Sequence, residues 1–77
     1  MTKREKLRER LNNNPNNVRF SDIRKLLEYE DFKLDRVTGS HHIFIKGKLI
    51  LVIPVHSNKV KTVYVKRVLE LIDQAND

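Results

Sequence analysis

Residues 36–56 decide the fold of this chain, and they run Arg-Val-Thr-Gly-Ser-His-His-Ile-Phe-Ile-Lys-Gly-Lys-Leu-Ile-Leu-Val-Ile-Pro-Val-His. This stretch contains all three histidines and the longest apolar run of the sequence. Apolar and polar residues alternate along much of it, and alternation with a period of two residues is typical of β-strands. The residues on either side have helical spacing instead, so we expect a strand-rich centre supported by helices.

Three strands are predicted around two short turns. Residues 32–38 and 41–46 alternate in polarity on either side of Gly39 and Ser40, which form the first turn. Residues 49–53 form the third strand after a turn at Gly47-Lys48, because glycine suits the first central position of a two-residue hairpin. The three strands should pair antiparallel in the order of the chain.

Helices are predicted on both sides of the strands. Residues 2–11 are rich in helix formers, and a second helix is expected from Ser21, acting as its N-cap, to about Glu30. Thr62 can cap a third helix, whose apolar residues recur at i, i+3, i+4 and i+7: Val65, Val68, Leu69 and Ile72. The predicted fold class is therefore α+β, with two layers: a three-stranded antiparallel meander sheet and helices packed on one face.

The length of the chain, 77 residues, predicts a single domain over residues 1–77. Within it, residues 1–17 should form an N-terminal helix and an Asn-rich loop, and residues 18–77 should form the core. A chain this short cannot build a deep cleft between two domains. A functional site should therefore lie on an open face or at a rim.

The charge of the chain is positive and unevenly distributed. The net charge is +6, and the span from Arg36 to Leu69 contains seven Lys and Arg residues but no Asp or Glu. A field of one sign attracts polyanions and accelerates their encounter with the protein. Nucleic acid is therefore the favoured partner, and a basic surface without a specific role is the alternative.

Other features exclude several classes of protein. The chain has no cysteine, which excludes disulfides and thiolate metal sites. No apolar segment has the length needed to span a membrane, and the charged N-terminus does not resemble a secretory signal. We therefore expect a cytoplasmic protein that requires no cofactor.

The phase of the second predicted strand places chemically useful side chains together. If Ile43 and Ile45 face the helices, then His42, Phe44 and Lys46 lie on the open face. Histidine exchanges protons near neutral pH, and an exposed phenylalanine can stack on an unpaired base. An ordinary surface pair of His42 and Phe44 is the alternative. The lysines expected to hold phosphates are Lys46, Lys48, Lys59 and Lys61.

The other two histidines have different predicted roles. Pairing about Gly47-Lys48 puts His42 opposite Ile53, so His56 lies near the His42 end of the hairpin and is a candidate second proton-transfer group. A loop histidine without a role is the alternative for His56. His41 shares the phase of the isoleucines and is expected to be structural. Adjacent strand residues face opposite ways, so no metal site is predicted at the histidine pair.

The run Leu49–Ile53 is apolar on both faces of its strand. In a domain with two layers, one of those faces should contact water. A well-covered strand is one explanation, and a surface for a partner or for self-association is the other.

The segment from Phe32 to Phe44, with Gly39-Ser40-His41-His42 at its centre, resembles the HicA family of mRNA interferase toxins. The later Pro54-Val55-His56 and the C-terminal helix extend this resemblance. It implies a fold similar to the double-stranded-RNA-binding domain and ribosome-independent cleavage of RNA by a toxin endoribonuclease. It also implies a HicB-type antitoxin, with a toxin that is monomeric when free and hetero-oligomeric with the antitoxin.

In that family the histidine after glycine-serine-x is catalytic, and the resemblance places this role on His42. Gly39 would shape the turn that presents it. Two other functions stay open from the residues themselves. One is a non-catalytic RNA-binding module that uses the same basic face. The other is an interaction protein that acts chiefly through Leu49–Ile53.

Overall fold

Three helices and five strands follow one another along residues 2–75. The computed structural model describes residues 2–75, with the side chain of residue 75 excepted. The predicted α+β class is confirmed, and so is the antiparallel sheet with three strands in chain order. The elements are α1 (Lys3–Asn13), β1 (Val18–Arg19), α2 (Phe20–Tyr29), β2 (Lys33–Thr38), β3 (His41–Lys46), β4 (Leu49–Pro54), β5 (Lys59–Val60) and α3 (Thr62–Ala75).

Two glycine turns set the register of the main sheet. Gly39 and Gly47 both have a φ of +58°, a conformation that costs glycine little and other residues more. The second turn closes the hairpin with Lys46 opposite Leu49. The predicted pairing of His42 with Ile53 is confirmed.

A β-bulge at Asp35 interrupts the pairing of β2 with β3. Arg36 lies opposite Ile43, whereas Leu34 lies opposite Phe44, so one residue of β2 has no partner between these pairs. Without the bulge, the register set at the Gly39 turn would have placed Leu34 opposite Ile45. Because side chains alternate between faces, this shift by one residue changes which face of β3 meets the apolar end of β2.

The predicted orientation of β3 is wrong. Phe44 has no exposed surface and lies in the core between Leu34 and Leu51, its partners on the two neighbouring strands. Ile43 and Ile45 lie on the open face. His42, Phe44 and Lys46 do share one face, but it is the face that the helices cover. Burial of the phenyl ring, with apolar partners on both sides, favours this arrangement.

The helices α2 and α3 bury the apolar stripes that their spacing predicts. The buried residues are Ile23, Leu26 and Leu27 in α2 and Val65, Val68, Leu69 and Ile72 in α3. The predicted N-cap of α2 is wrong, because the helix begins at Phe20, one residue before Ser21. Arg19 occupies the cap position and makes no side-chain capping hydrogen bond there.

The helix α1 packs onto this core. The Thr2 hydroxyl accepts a hydrogen bond from the backbone N–H of Glu5, which caps the helix at its start. Leu11 is buried in the core, and Arg10 pairs with Asp22 of α2 at 3.1 Å. The N-terminal residues are therefore part of the packed domain.

A second sheet with two strands joins the N-terminal segment to the segment before α3. Val18 of β1 pairs with Val60 of β5, and both side chains are buried. Arg19 pairs with Lys59. Strands of two residues are too short to show alternation, so the sequence does not predict this sheet. This small sheet fixes the position of the segment that follows β4.

Candidate functional site

His42 lies at the end of β3 next to the Gly39 turn and points towards the helix side of the sheet. Its neighbours across the sheet are Val37 and Ile53. The ring of Phe20, the first residue of α2, covers it at a distance of 4.3 Å between ring centroids, with the planes tilted by 50°. The imidazole is half-buried, so it keeps contact with solvent at the rim of the sheet.

A backbone contact orients this imidazole. His42 Nδ1 lies 3.4 Å from the carbonyl oxygen of Ser40. In the tautomer with the proton on Nδ1, the ring donates towards that oxygen and the lone pair of Nε2 is available to accept a proton. The turn at Gly39 and Ser40 therefore places the histidine and also restricts its ring.

A cavity of about 510 Å³ adjoins the Phe20 ring. The start of α2 forms one wall, and the segment before β5 forms the other. Two cations, two hydroxyl groups and one amide line it together with the ring: Arg19, Phe20, Ser21, Ser57, Asn58 and Lys59. Cations with hydroxyl and amide groups are the side chains that bind phosphate oxygens.

A tight turn holds one wall of this cavity in place. Ser57 and Asn58 both have positive φ, 51° and 64°, and His56 and Lys59 exchange backbone hydrogen bonds of 3.0 and 2.9 Å across them. The Asn58 carbonyl oxygen accepts a hydrogen bond of 2.8 Å from the backbone N–H of Phe20. The turn is thus attached directly to the start of α2 and to the residue that covers His42.

His56 lies in a neighbouring cavity of about 430 Å³ rather than beside Phe20. Lys59 lines both cavities, and Lys61 lines the second one with His56. Asn16 also belongs to the second cavity and accepts a hydrogen bond of 2.8 Å from the Thr62 hydroxyl. The structure therefore places Lys59, Lys61 and His56 close together, one cavity away from the ring that covers His42.

The predicted lysines of the β3–β4 hairpin are separated from His42. Lys46 is four residues further along β3, about 13 Å at ~3.3 Å per residue. Its ammonium group lies 5.8 Å from the centre of the buried Phe32 ring, a cation–π contact. Lys48 belongs to the turn at the same distant end. The expected cluster of His42 with these two lysines does not form.

Phe44 cannot serve as the predicted stacking platform for a base, because its ring is buried in the core. The partly exposed ring beside His42 is that of Phe20, whose centroid lies 6.1 Å from that of Phe44. Phe20 was not among the site residues predicted from the sequence. Its place immediately before the predicted start of α2 was a sequence signal that could have indicated it.

His41, the other member of the histidine pair, points to the opposite side of the sheet and is exposed. Among residues 2–75, no three His, Asp or Glu side chains come together in a group that could hold a metal ion. Within the same range, every helix is too short or too polar to cross a bilayer.

A family model described as "HicA toxin of bacterial toxin-antitoxin" matches residues 20–76. The chain belongs to the HicA toxin family. It is therefore a toxin of a toxin–antitoxin system, and the family implies a cognate antitoxin as its partner. No curated protein and no solved structure matches the chain significantly. The similarity to the double-stranded-RNA-binding domain consequently stays a prediction.

The matched segment begins at Phe20, so Arg19 and the residues before it lie outside it. In this HicA toxin, however, Arg19 lines the cavity beside Phe20, and β1 supports the strand that carries Lys59. Arg19, Ser57 and Asn58 were not predicted from the sequence as site residues. The small β1–β5 sheet brings them together, and strand pairs of this length leave no periodic pattern in a sequence.

Proposed function

We propose that this HicA toxin is a metal-independent endoribonuclease in which His42 transfers protons during cleavage of the RNA backbone. Arg19 and Lys59 bind phosphates of the RNA in the adjoining cavity, and Lys61 extends this contact. A HicB-type antitoxin neutralises the toxin by binding it. The observation that carries the proposal is an oriented, half-buried imidazole in contact with the Phe20 ring, which itself lines a cavity with two cations.

The arrangement suits an RNA strand that passes along the start of α2. A phosphate between Arg19 and Lys59 would lie next to the Phe20 ring, and that ring is in contact with His42. Charge-assisted hydrogen bonds from Arg and Lys to phosphate fix the position of the backbone. Fixed positions of the substrate and the imidazole are what general acid–base catalysis requires.

The proposed step is a transesterification within the RNA. The 2′-oxygen attacks phosphorus while His42 Nε2 accepts the proton of the 2′-hydroxyl. The bond from phosphorus to the 5′-oxygen breaks, and this oxygen receives a proton from a second group or from water. The products are a 2′,3′-cyclic phosphate and a 5′-hydroxyl end. No oxidant, reductant or metal ion is needed to balance this step.

The decisive experiment compares two identical substitutions at neighbouring histidines. His42→Gln removes the proposed proton-transfer group, and His41→Gln makes the same change on the opposite face of the sheet. With purified protein and RNA in the presence of a chelator, His42→Gln should cleave about 10²–10⁴-fold more slowly than the unmodified chain. His41→Gln should cleave at a rate within threefold of it. Circular dichroism should show that both variants are folded.

Two results would contradict the proposal. Full cleavage by His42→Gln would remove the imidazole from the mechanism. Intact RNA with a salt-dependent mobility shift, for the unmodified chain as well, would indicate a non-catalytic RNA-binding module. Analysis of the 3′ ends adds a further criterion, because a plain 3′-phosphate formed without a cyclic precursor would indicate attack by water.

His56 is proposed as the second proton-transfer group, reached through the neighbouring cavity that shares Lys59. If it donates the proton to the leaving oxygen, His56→Gln should remove one limb of the dependence of kcat/KM on pH. The measurement is the cleavage rate across pH 5 to 9, with His41→Gln as the matched control. A profile identical to that of the unmodified chain would leave His56 without a catalytic role.

A further inference from the structure

The two edges of the main sheet differ in their protection against strand pairing. β2 forms one edge and β4 forms the other. Natural edge strands usually carry charged residues or a bulge that prevents another strand from adding to them. β2 has both, with Lys33, Asp35 and Arg36 and the bulge at Asp35. β4 has the sequence Leu-Ile-Leu-Val-Ile-Pro, without a charge, and pairs with β3 without a bulge.

The register shows which backbone groups of β4 face outwards. The N–H of Val55 donates to the carbonyl oxygen of Ser40 at 2.8 Å, so Val55 and Ser40 are a directly hydrogen-bonded pair at the end of the β3–β4 ladder. In an antiparallel pair, directly bonded positions alternate with outward-facing ones. Counting back along the chain, Leu51 and Ile53 bond to β3, and Ile50 and Val52 direct their N–H and C=O groups to the free edge.

The same two residues also form an apolar surface on the open face. The Ile50 side chain is 70% exposed and that of Val52 is 42% exposed. Their neighbours on this face are Ile45 and Ile43 of β3. A strand that adds to β4 would thus find two donors, two acceptors and an adjoining apolar surface, the combination that β-strand addition uses.

The charges at the two ends of β4 favour a particular occupant. Lys48 directly precedes the strand, and Lys59, which exchanges backbone hydrogen bonds with His56, follows it, with no acidic residue between them. If a second copy of the chain paired antiparallel with β4, the cation before the strand in one copy would meet the cation after it in the other. Each copy also has a net charge of +6. An apolar strand flanked by acidic residues would instead meet opposite charges at both ends.

We propose that the free edge of β4 receives an apolar, acid-flanked β-strand from the cognate antitoxin. This inference deepens the proposed neutralisation by an antitoxin, but it does not depend on RNA cleavage. The added strand would lie about 10 Å from β3, two strand spacings of ~4.8 Å. β3 carries His42, so the partner would be anchored close to the candidate site.

The test is backbone hydrogen exchange on the full chain, free and in complex with the co-purified cognate antitoxin. In the complex, the Ile50 and Val52 amides should exchange at least tenfold more slowly than in the free chain. The Val37 amide is a control within the same sample, because it points outwards at the opposite edge, on β2. Its exchange rate should change less than threefold. Unchanged exchange at Ile50 and Val52 in a formed complex would overturn the proposal.

A pair of proline variants tests the same contact through affinity. Proline at position 50 or 37 removes an outward N–H and leaves the bonds to β3 in place, a change that edge strands tolerate. Ile50→Pro should raise the Kd for the antitoxin at least tenfold, and Val37→Pro should raise it less than threefold. Equal losses of affinity in the two variants would overturn the proposal. It would also be overturned if the chain alone sedimented as a dimer and the Ile50 and Val52 amides were protected from exchange in that dimer.

Failure of the proposed β4 interface can be distinguished from failure of the proposed catalytic function. A chain that binds antitoxin along β4 but leaves RNA intact would refute the nuclease and keep the interface. A chain that cleaves RNA through His42 but binds antitoxin elsewhere would do the reverse.

Discussion

The two ends of β3 contain similar residues in different arrangements. At the His42 end, the aromatic neighbour is Phe20, which is partly exposed and lines a cavity with Arg19 and Lys59. At the Lys46 end, the aromatic neighbour is Phe32, which is buried beneath the lysine. Each end therefore has an aromatic ring and a positive charge, but the two cavities that Lys59 lines lie on the His42 side, one of them against Phe20.

This difference teaches that residue type alone does not define the candidate site. The Lys46 ammonium group makes a cation–π contact with the buried Phe32 ring, which stabilises the fold by about 0.5–1 kcal/mol or more. Lys59 has a backbone fixed by two short strands and a tight turn, and its side chain lines two cavities. The proposed RNA site therefore rests on an ordered backbone next to an open volume, rather than on cation density.

The largest expected contrast between the two ends of β3 comes from removing a pair of charges at each end. Arg19→Gln with Lys59→Gln should lower kcat/KM for RNA cleavage by about tenfold or more, because a hydrogen bond to a charged group contributes ~1.5–3 kcal/mol. Lys46→Gln with Lys48→Gln should lower it less than threefold. Both double variants remove two positive charges, so the long-range attraction of RNA is matched. Single-turnover cleavage at fixed ionic strength is the measurement.

Equal losses in the two double variants would break the comparison. They would mean that RNA responds to the total charge of the chain and not to the cavity beside Phe20. The comparison would be strengthened if the two double variants cleaved RNA at similar rates at low salt and at different rates at high salt. Salt screens the long-range attraction of RNA, whereas direct contacts to phosphate persist.

Smaller effects on the free energy of unfolding, opposite in sign to each other, are expected from substitutions at two turns. Ser57, near the His42 end, has a φ of 51°, which costs a residue other than glycine about 1 kcal/mol or more. Ser57→Gly should therefore raise the free energy of unfolding by up to about 1 kcal/mol, since the added freedom of the unfolded glycine offsets part of the gain. Gly47→Ala, at the opposite end, should lower it by about 1 kcal/mol.

Urea unfolding with unchanged m-values is the measurement for both turn variants. A Cβ at position 47 would meet no atom within 4 Å, so the loss there should come from the backbone conformation alone. A destabilised Ser57→Gly variant would contradict the prediction.

Much of the fold could be predicted from the sequence because its signals are local. The apolar spacing of α3, the glycine turns and the opposition of His42 and Ile53 all follow from neighbours in the chain. The orientation of β3 could not be predicted, because both of its faces carry apolar residues, Phe44 on one and Ile43 and Ile45 on the other. The bulge at Asp35, which places Leu34 opposite Phe44, leaves no periodic trace either.

The candidate site was predictable only in part. The sequence indicated His42, Lys59 and His56 as residues of interest, and their catalytic and RNA-binding roles stay predictions. Arg19 and Phe20 were missed because they reach the site through contacts distant in sequence. These contacts are the pairing of Arg19 with Lys59 and the hydrogen bond from Phe20 to Asn58.

The pairing of Val18 with Val60 has a practical consequence for anyone who shortens this protein. A version trimmed to the family segment would start at Phe20 and would keep His42. It would also discard Arg19, expose the buried side of Val60 and remove Leu11 from the interior. A harmless phenotype from such a truncated gene would therefore be poor grounds for declaring the toxin inactive.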